Sequence, residues 1–528
     1  MKHFKVILKP DGKCISIHGG ATLIDAAGQA GIILNTVCGG QGTCRKCQVY
    51  VEPDNRKVLA CQYRIESDLT VTIPPGSRYF EQRILAEGLD TAHGISPDIY
   101  EDYLQESCGA ILGLAVDLGT TTVVAKLIDM TTGKSLATEA ALNPQRRFGD
   151  DVVSRIAYAE TKEKAAELHE AAVDCLNDLT EKLCRGAGAE TDQIYEMCIV
   201  GNTTMNHIFL ELPTAQLGQA PYEAFSLDAH DLRGADSPLK INPVGNIHTV
   251  ENIAGFVGSD AVAAALATDM GSAKEMTLIV DIGTNGELVL GTKDRIYAAS
   301  CAAGPAFEGA RISQGSRAVD GAIEAVVVND DDIDLDVIGG VAPRSICGSG
   351  LIDAVAVLLE LGVIDRRGRF VEKATLSEKL PPAIASRIIE QNGQPAFRMT
   401  SQQSANAQPV LLTQRDVREM QLAKAAIRAG IRLLQQKIGL DDSGIEQILL
   451  AGAFGNYIRT QSALRIGLLP AVEPKRIHFV GNAASSGAGM ILVSRDCRDQ
   501  AGKLARRIEY VEIAHQPDFH DVFADSLL

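Results

Sequence analysis

The residues with the plainest chemistry are four cysteines near the amino terminus. Cys38, Cys44 and Cys47 stand at C-x5-C-x2-C spacing, and Cys61 follows after thirteen intervening residues. Thiolates are soft ligands, and four of them suit either a [2Fe–2S] cluster or a structural zinc ion. The residues between them favour the cluster. Gly39, Gly40 and Gly42 carry no Cβ, so the backbone can curl around an inorganic core and turn N–H groups toward its sulfides. Zinc sites usually pair their ligands as C-x2-C twice, and only one such pair occurs here. The first gap is one residue longer than the plant-type iron–sulfur spacing. At this stage zinc remains the alternative.

A second chemistry is phosphate binding. The turn Asp117-Leu-Gly119-Thr120-Thr121-Thr122 joins two hydrophobic stretches, and Asp281-Ile-Gly283-Thr284-Asn285-Gly-Glu287 does so again further on. Glycine N–H and hydroxyl O–H groups in such turns donate to phosphoryl oxygens. Asp117 and Asp281 are the candidate catalytic residues, able to hold Mg2+ through water or to orient a nucleophilic water. One D-x-G-T is also a common hairpin turn. Two copies, each on an apolar strand, imply a duplicated fold whose hairpins face each other across a cleft.

More glycine-punctuated segments surround the pair. Residues 300–312, with Glu308, and 346–354, with Gly348 and Gly350, break at expected helix starts, where backbone N–H groups favour anions. In 448–458, Gly452, Ala453, Phe454 and Gly455 would let an adenosine lie against the backbone. Residues 198–207 and 477–489 both run strand, Gly-Asn, then a small-residue helix. Singly, each fits a left-handed turn or a close helix crossing equally well. Their recurrence around two phosphate turns favours ATP.

The elements that must position these groups follow from periodicity. Residues 3–9 and 13–18 alternate apolar and polar around Pro10-Asp11-Gly12, which predicts a hairpin. Thr22 is placed to cap a helix ending near Ala30, and strands are expected over 48–52 and 69–74. From Ile111 the chain alternates β and α. Long helices are expected over 161–185 and 414–438, and a shorter one after 143 with Asp150 and Asp151 in its first turn. The tail 507–528 should begin as a strand and end as a helix. The expected domains are 1–78 around the cysteines, an acidic linker 79–110, a first lobe 111–275 and a second lobe 276–528, with the tail returning to the first lobe.

At 528 residues, 46% hydrophobic and 22% charged, the chain has room for three or four ordinary domains. No run approaches a membrane span, and the first residues lack the apolar core of a secretory signal. Twelve cysteines in that setting suggest a reducing cytoplasm. Cys14, Cys108, Cys175, Cys184, Cys198, Cys301, Cys347 and Cys497 read as small core residues. The net charge of −17 divides unevenly: residues 1–78 carry +4, leaving −21 for the rest. Such a chain, without a basic stripe, is a poor nucleic-acid binder. The acidic linker would dock on the basic first domain as a movable tether.

Taken together, the Asp117 and Asp281 motifs with LAGAFGNY resemble the ASKHA superfamily of acetate and sugar kinases, Hsp70 and actin. With the amino-terminal cysteine domain, arranged like a β-grasp ferredoxin, the chain is similar to the reductive activators of corrinoid proteins. The likeness extends to NPQ…GDDVVSRI, GPAFEGARI, GSGLIDA, TQRDVREMQLAKAAIRAG and the EYVEIA tail. It implies an α/β fold, a β-grasp domain followed by a two-lobed actin-like ATPase. It also implies ATP-driven transfer of one electron from a [2Fe–2S] centre to the Co(II) corrinoid of a methyl-transfer partner. An external low-potential donor would supply the electron, and a homodimer is admissible. By length, the chain is expected to lack the separate middle domain of longer members. A plant-type centre sits near about −400 mV, and each 100 mV uphill costs roughly 2.3 kcal/mol per electron. A nucleotide whose two states differ in affinity for the partner can supply that. A small-molecule kinase with an appended redox domain, or an Hsp70-like assembly factor, are the alternatives.

Overall fold

The computed structural model describes residues 2–10, 12–30, 32, 34, 47–74, 77, 110–329, 331–376, 379–400, 408–452 and 458–527. The alternation at the amino terminus produces β1 (His3–Lys9) and β2 (Lys13–His18), an antiparallel pair that buries Val6, Leu8 and Ile17 on one face. Helix α1 (Leu23–Gln29) starts on Thr22. The Thr22 hydroxyl accepts from the Asp25 N–H, and the Asp25 carboxylate accepts from the Thr22 N–H. Strands β3 (Gln48–Val51), β4 (Arg56–Leu59) and β5 (Leu69–Thr72) complete a five-stranded sheet in the order β2-β1-β5-β3-β4. The last strand inserts beside β1 and parallel to it, which is the β-grasp arrangement. Strand β4 was not expected. Its half-exposed Arg-Lys-Val-Leu carries little periodic signal, and pairing with β3 decides it. Nearly all of the acidic segment 79–110, the expected tether, lies outside the described residues.

The first lobe is a sheet of β6 (Leu112–Leu118), β7 (Thr122–Asp129), β8 (Ser135–Leu142), β9 (Ile194–Val200), β10 (His230–Arg233) and β11 (Asn246–Thr249). The second begins with β12 (Thr277–Ile282), β13 (Gly286–Thr292) and β14 (Arg295–Cys301). Two small sheets follow, one of β15 (Ala322–Val328), β16 (Ile333–Val337) and β17 (Ser345–Ile346), the other of β18 (Ile388–Gln391), β19 (Gln394–Arg398) and β20 (Leu411–Thr413). Strands β21 (Gln447–Ala451), β22 (Ile477–Gly481) and β23 (Ile508–Tyr510) then join the main sheet. The main sheets read β10-β11-β9-β6-β7-β8 and β22-β21-β12-β13-β14-β23. In each, three antiparallel strands are extended by two parallel ones beside the first. That shared connectivity is the duplication the two Asp-x-Gly-Thr turns implied.

Helix α2 (Val152–Tyr158) is capped by Asp151, whose carboxylate accepts from the Ser154 N–H. Asp150 stands outside the helix and pairs with Arg146, so only one of the two acids acts on the helix end. Helix α3 (Lys162–Ala187) starts on Thr161 and stops at Gly188, at φ +67°. Helices α4 (Thr203–Phe209) and α5 (Ser259–Ala267) complete the first lobe. In the second, α6 (Gly348–Glu360) and α7 (Gln414–Ile438) bury their apolar faces; α7 starts with a reciprocal Thr413–Asp416 cap and stops at Gly439. Helices α8 (Ala483–Val493) and α9 (Arg495–Arg507) leave the second lobe and pack on α5 of the first. The final strand β23 goes back to β14, and α10 (Phe519–Ser526) packs on α7. Residues 483–507 thus return to the first lobe, and the terminal tail also reaches it, the His515 ring stacking on Tyr222 at 5.6 Å between centroids. The α5–α8 crossing explains the alanine-rich run, because a Cβ on Gly487 would stand 2.1 Å from the Ala263 carbonyl oxygen. Cys175, Cys184, Cys198, Cys301 and Cys347 are core residues as expected, whereas Cys14 is exposed and Cys497 half-buried. Cys108 lies outside the described residues.

Candidate nucleotide cleft and cysteine corner

The first phosphate turn is held from behind by the NPQ…SRI segment. Asn143 Nδ2 donates to the Gly119 carbonyl at 2.9 Å, and Arg155 Nη2 donates to the Thr120 carbonyl at 2.6 Å. Arg155 is fully buried. Desolvation lowers its pKa to about 10, which leaves it charged at neutral pH, and Gln145 Oε1 and the Gly149 carbonyl accept from its other nitrogens. Gly119 is obligatory, since a Cβ would stand 2.5 Å from the Thr122 carbonyl oxygen.

Two asparagines, one from each half of the duplication, reach into the first turn in the same way. Asn202 caps α4 with its side-chain oxygen and donates from Nδ2 to Thr120 Oγ1 at 2.8 Å. Asn482 caps α8 and donates from Nδ2 to Asp117 Oδ2 at 2.8 Å. An amide is suited to this double task, because its oxygen satisfies the helix end while its N–H2 serves the site.

The hairpin tips meet through their hydroxyls. Thr121 Oγ1 and Thr284 Oγ1 are 2.8 Å apart, and both donate toward Glu308 Oε1. Beneath them Asp117 and Asp281 face each other, joined by Asp260 from the first turn of α5 and Glu287 from β13. Burial pushes the Asp117 carboxyl up to about 6, against the Asn482 hydrogen bond and the Lys126 charge, which pull it down. Burial and then the neighbouring acids raise Asp281 and Asp260 to about 7. Burial, with Asp260 and Asp281 beside it, holds Glu287 well above the carboxylate range. Four acids crowded this way favour a shared proton or a cation. Among the described residues, no group of three or more His, Cys, Asp or Glu closes into a direct metal shell. A magnesium ion held through water fits that spacing, because Mg2+ keeps much of its hydration.

These groups line a cavity of about 420 Å3 between the lobes. Asp117, Gly119, Thr120, Thr121, Thr122, Asp281, Gly283, Thr284, Asn285, Glu308, Gly348 and Gly452 all face it. Gly452, at φ +85°, leaves room for Asp281 Oδ1, 2.4 Å from where a Cβ would sit. Gly350 is not on the wall. It lets α6 close on β15, where a Cβ would stand 2.1 Å from the Ile323 carbonyl oxygen. Ala453, Phe454 and Gly455 lie outside the described residues. Sequence reasoning passed over Asp260, Asn202, Asn482, Arg317 and Glu324, which also line the cavity. The two Gly-Asn steps carried a legible signal, a recurring helix cap beside a strand. Asp260 carried only a Gly-Ser-Asp helix start, and Glu287 was read as the close of its turn.

In the amino-terminal domain, Cys47 and Cys61 are buried and adjacent, with the Ala60 N–H bonded to the Cys47 carbonyl at 2.9 Å. The pair suits one soft-ligand centre. Cys38 and Cys44 lie outside the described residues.

Comparison with known proteins resolves what this arrangement belongs to. Three family profiles match in order: a 2Fe–2S iron–sulfur cluster binding domain over 6–66, the RACo middle region over 112–273, and the C-terminal domain of RACo, the ASKHA domain, over 275–528. The corrinoid activation enzyme RamQ of Eubacterium limosum is 36% identical, with 94% of each chain covered. The chain belongs to the corrinoid-activator family. A second relative, the Co(II) methylated amine-specific corrinoid protein reductase of Methanosarcina barkeri, is 24% identical over 79% of this chain and 76% of its own. The solved structure of a reductive activator for corrinoid, iron–sulfur protein superposes with a TM-score of 0.72 at 31% identity, covering 99% and 98% of the two chains. As a member of this family the chain does carry the middle region, contrary to the expectation from its length. That region is the first lobe, with its own Asp117 turn. The cysteine match favours the iron–sulfur reading over zinc.

Proposed function

We propose that this activator uses ATP to pass one electron from a [2Fe–2S] cluster, held by Cys38, Cys44, Cys47 and Cys61, to the inactive Co(II) cobamide of a corrinoid protein, regenerating Co(I) for methyl transfer. The observation that carries this is the full-length likeness to a corrinoid activation enzyme, spanning cysteine domain and both lobes together. When bound, the cluster supplies the one-electron carrier.

The chain's own residues supply the rest. The hydroxyls of Thr121 and Thr284 already point into the interlobe gap and exchange their present partners for phosphoryl oxygens. Asp117, pinned by Asn482, and Asp281 would hold Mg2+ through water. Asp260 and Glu287, whose carboxyls burial and the neighbouring acids raise, would give up their protons as the cation offsets that crowding. A cavity of about 420 Å3 lies within the usual range for small-molecule sites. The +4 balance of residues 1–78 suits an acidic low-potential electron donor.

The test is anaerobic reconstitution with iron and sulfide, followed by the absorption spectrum of a Co(II) corrinoid protein with and without ATP. Conversion to Co(I) that requires both cluster and ATP is expected. Equal conversion without nucleotide overturns the proposal.

A further inference from the structure

The first domain touches the lobes at a cluster of titratable groups that the proposed chemistry does not use. His3 opens β1 and His18 closes β2, and the two are directly paired in the hairpin register. Both rings face Asp336 of β16. His3 Nε2 stands 2.5 Å from Asp336 Oδ1, and His18 Nε2 stands 3.9 Å from Oδ2. The Asp336 side chain is only 5% exposed. Beside it lies Glu324 of β15, at a break in the β15–β16 register where Ile323 pairs with Val337 but Ala325 with Asp336. The bulge leaves Glu324 unpaired and free to be re-aimed. Glu324 feels both Asp336 and His3, and it also lines the nucleotide cavity. At the other end of β2, the Lys13 charge is felt by Lys126 of β7 in the first lobe.

We infer that the amino-terminal domain docks across the lobes by its β1–β2 edge, that His3 and His18 grip Asp336 as a latch, and that Glu324 ties the latch to the nucleotide cavity. The sheet order places β3 and β4 at the edge away from β2. Strand β3 runs against β5, and β5 runs with β1, so Cys47, just before β3, lies at the end of the sheet away from His3. The latched domain therefore presents its cysteine corner away from Asp336.

The latch stands on the contacts of His3 and His18 with Asp336. Burial, then the Asp336 charge, raise Glu324 to about 7, while His3 opposes them. Asp336 belongs to Glu324's own lobe, so the charge that the first domain brings to Glu324 is the opposing His3. The ionisable groups facing the contact include His3 and His18 from the first domain and Glu324 and Asp336 from the second lobe.

Small-angle scattering of the cluster-loaded full chain tests this. The wild-type chain should be compact and Asp336→Asn expanded, its docked fraction falling about tenfold for a lost charge-assisted contact, with cluster absorbance retained. Identical dimensions for the wild type and Asp336→Asn overturn the latch. A non-hydrolysable ATP analogue should change the dimensions of the wild type and not of Asp336→Asn. If calorimetry shows the analogue bound yet the wild type is unmoved, the Glu324 link is overturned. Failure of the analogue to bind at all would count against the nucleotide assignment and leave the Asp336→Asn comparison to judge the docking.

Discussion

Asn482 shows how closely the site's electrostatics depend on single atoms. Its oxygen caps α8 while its amide lowers the Asp117 pKa against burial. Asn482→Ser keeps a capping oxygen and removes the amide, so helix stability should change by only a few tenths of a kcal/mol. The Asp117 carboxyl then loses a donor and its pKa rises further. The acid limb of the ATP-hydrolysis pH profile should move upward, and the rate at neutral pH should fall roughly tenfold for a lost charge-assisted bond. A profile that kept its limb while the rate fell would show Asn482 to be structural only. Asp117→Ala should abolish hydrolysis and leave the cluster reducible by dithionite, followed by its absorbance. Retained turnover would remove Asp117 from the phosphate site.

Whole elements are set by backbone approach as much as by side chains, and two glycines make the contrast measurable. A Cβ on Gly350 meets the Ile323 carbonyl oxygen at 2.1 Å and its carbon at 2.8 Å, both backbone atoms of β15. Gly350→Ala should push the start of α6 off that strand, destabilise by about 1–3 kcal/mol as overpacking does, and disturb Gly348 on the cavity wall. Gly186, in the last turns of α3, has nothing within 4 Å of its added Cβ. Gly186→Ala should therefore raise the melting temperature, by up to about 1 kcal/mol of helix propensity. Melting curves of the two variants moving in the same direction would refute this reading of their surroundings.

The same contrast marks what was legible in the sequence. Strands β1 and β2, helices α3 and α7 and both Asp-x-Gly-Thr turns could be read directly, because periodicity, caps and turn residues act within a few positions. Gly350 could not. A glycine at a helix start looks alike whether it cradles an anion or admits a strand, and only the partner strand decides. Asp260 and Glu287 join Asp117 and Asp281 through tertiary packing, and the crossing of 483–507 onto α5 is a choice between two apolar surfaces that local pattern does not rank.

At the scale of the molecule, the cores are divided. Among the described residues, the hydrophobic core of the cysteine domain draws on residues 4–73, while the lobes share clusters of their own. The first domain meets the second lobe at His3, His18 and Asp336, through polar contacts. A defect in the cluster should therefore stay within its own domain. Cys61→Ser removes a thiolate beside Cys47 without touching either phosphate turn. The reconstituted variant should lose cluster absorbance and corrinoid reduction together, yet hydrolyse ATP within about twofold of the parent, since independent units change additively. If instead hydrolysis fell in step with the absorbance, while circular dichroism showed the lobes folded, the cluster would be feeding back on the nucleotide cleft. The electron carrier and the ATPase would then be one cooperative machine, not two units joined at a narrow polar contact.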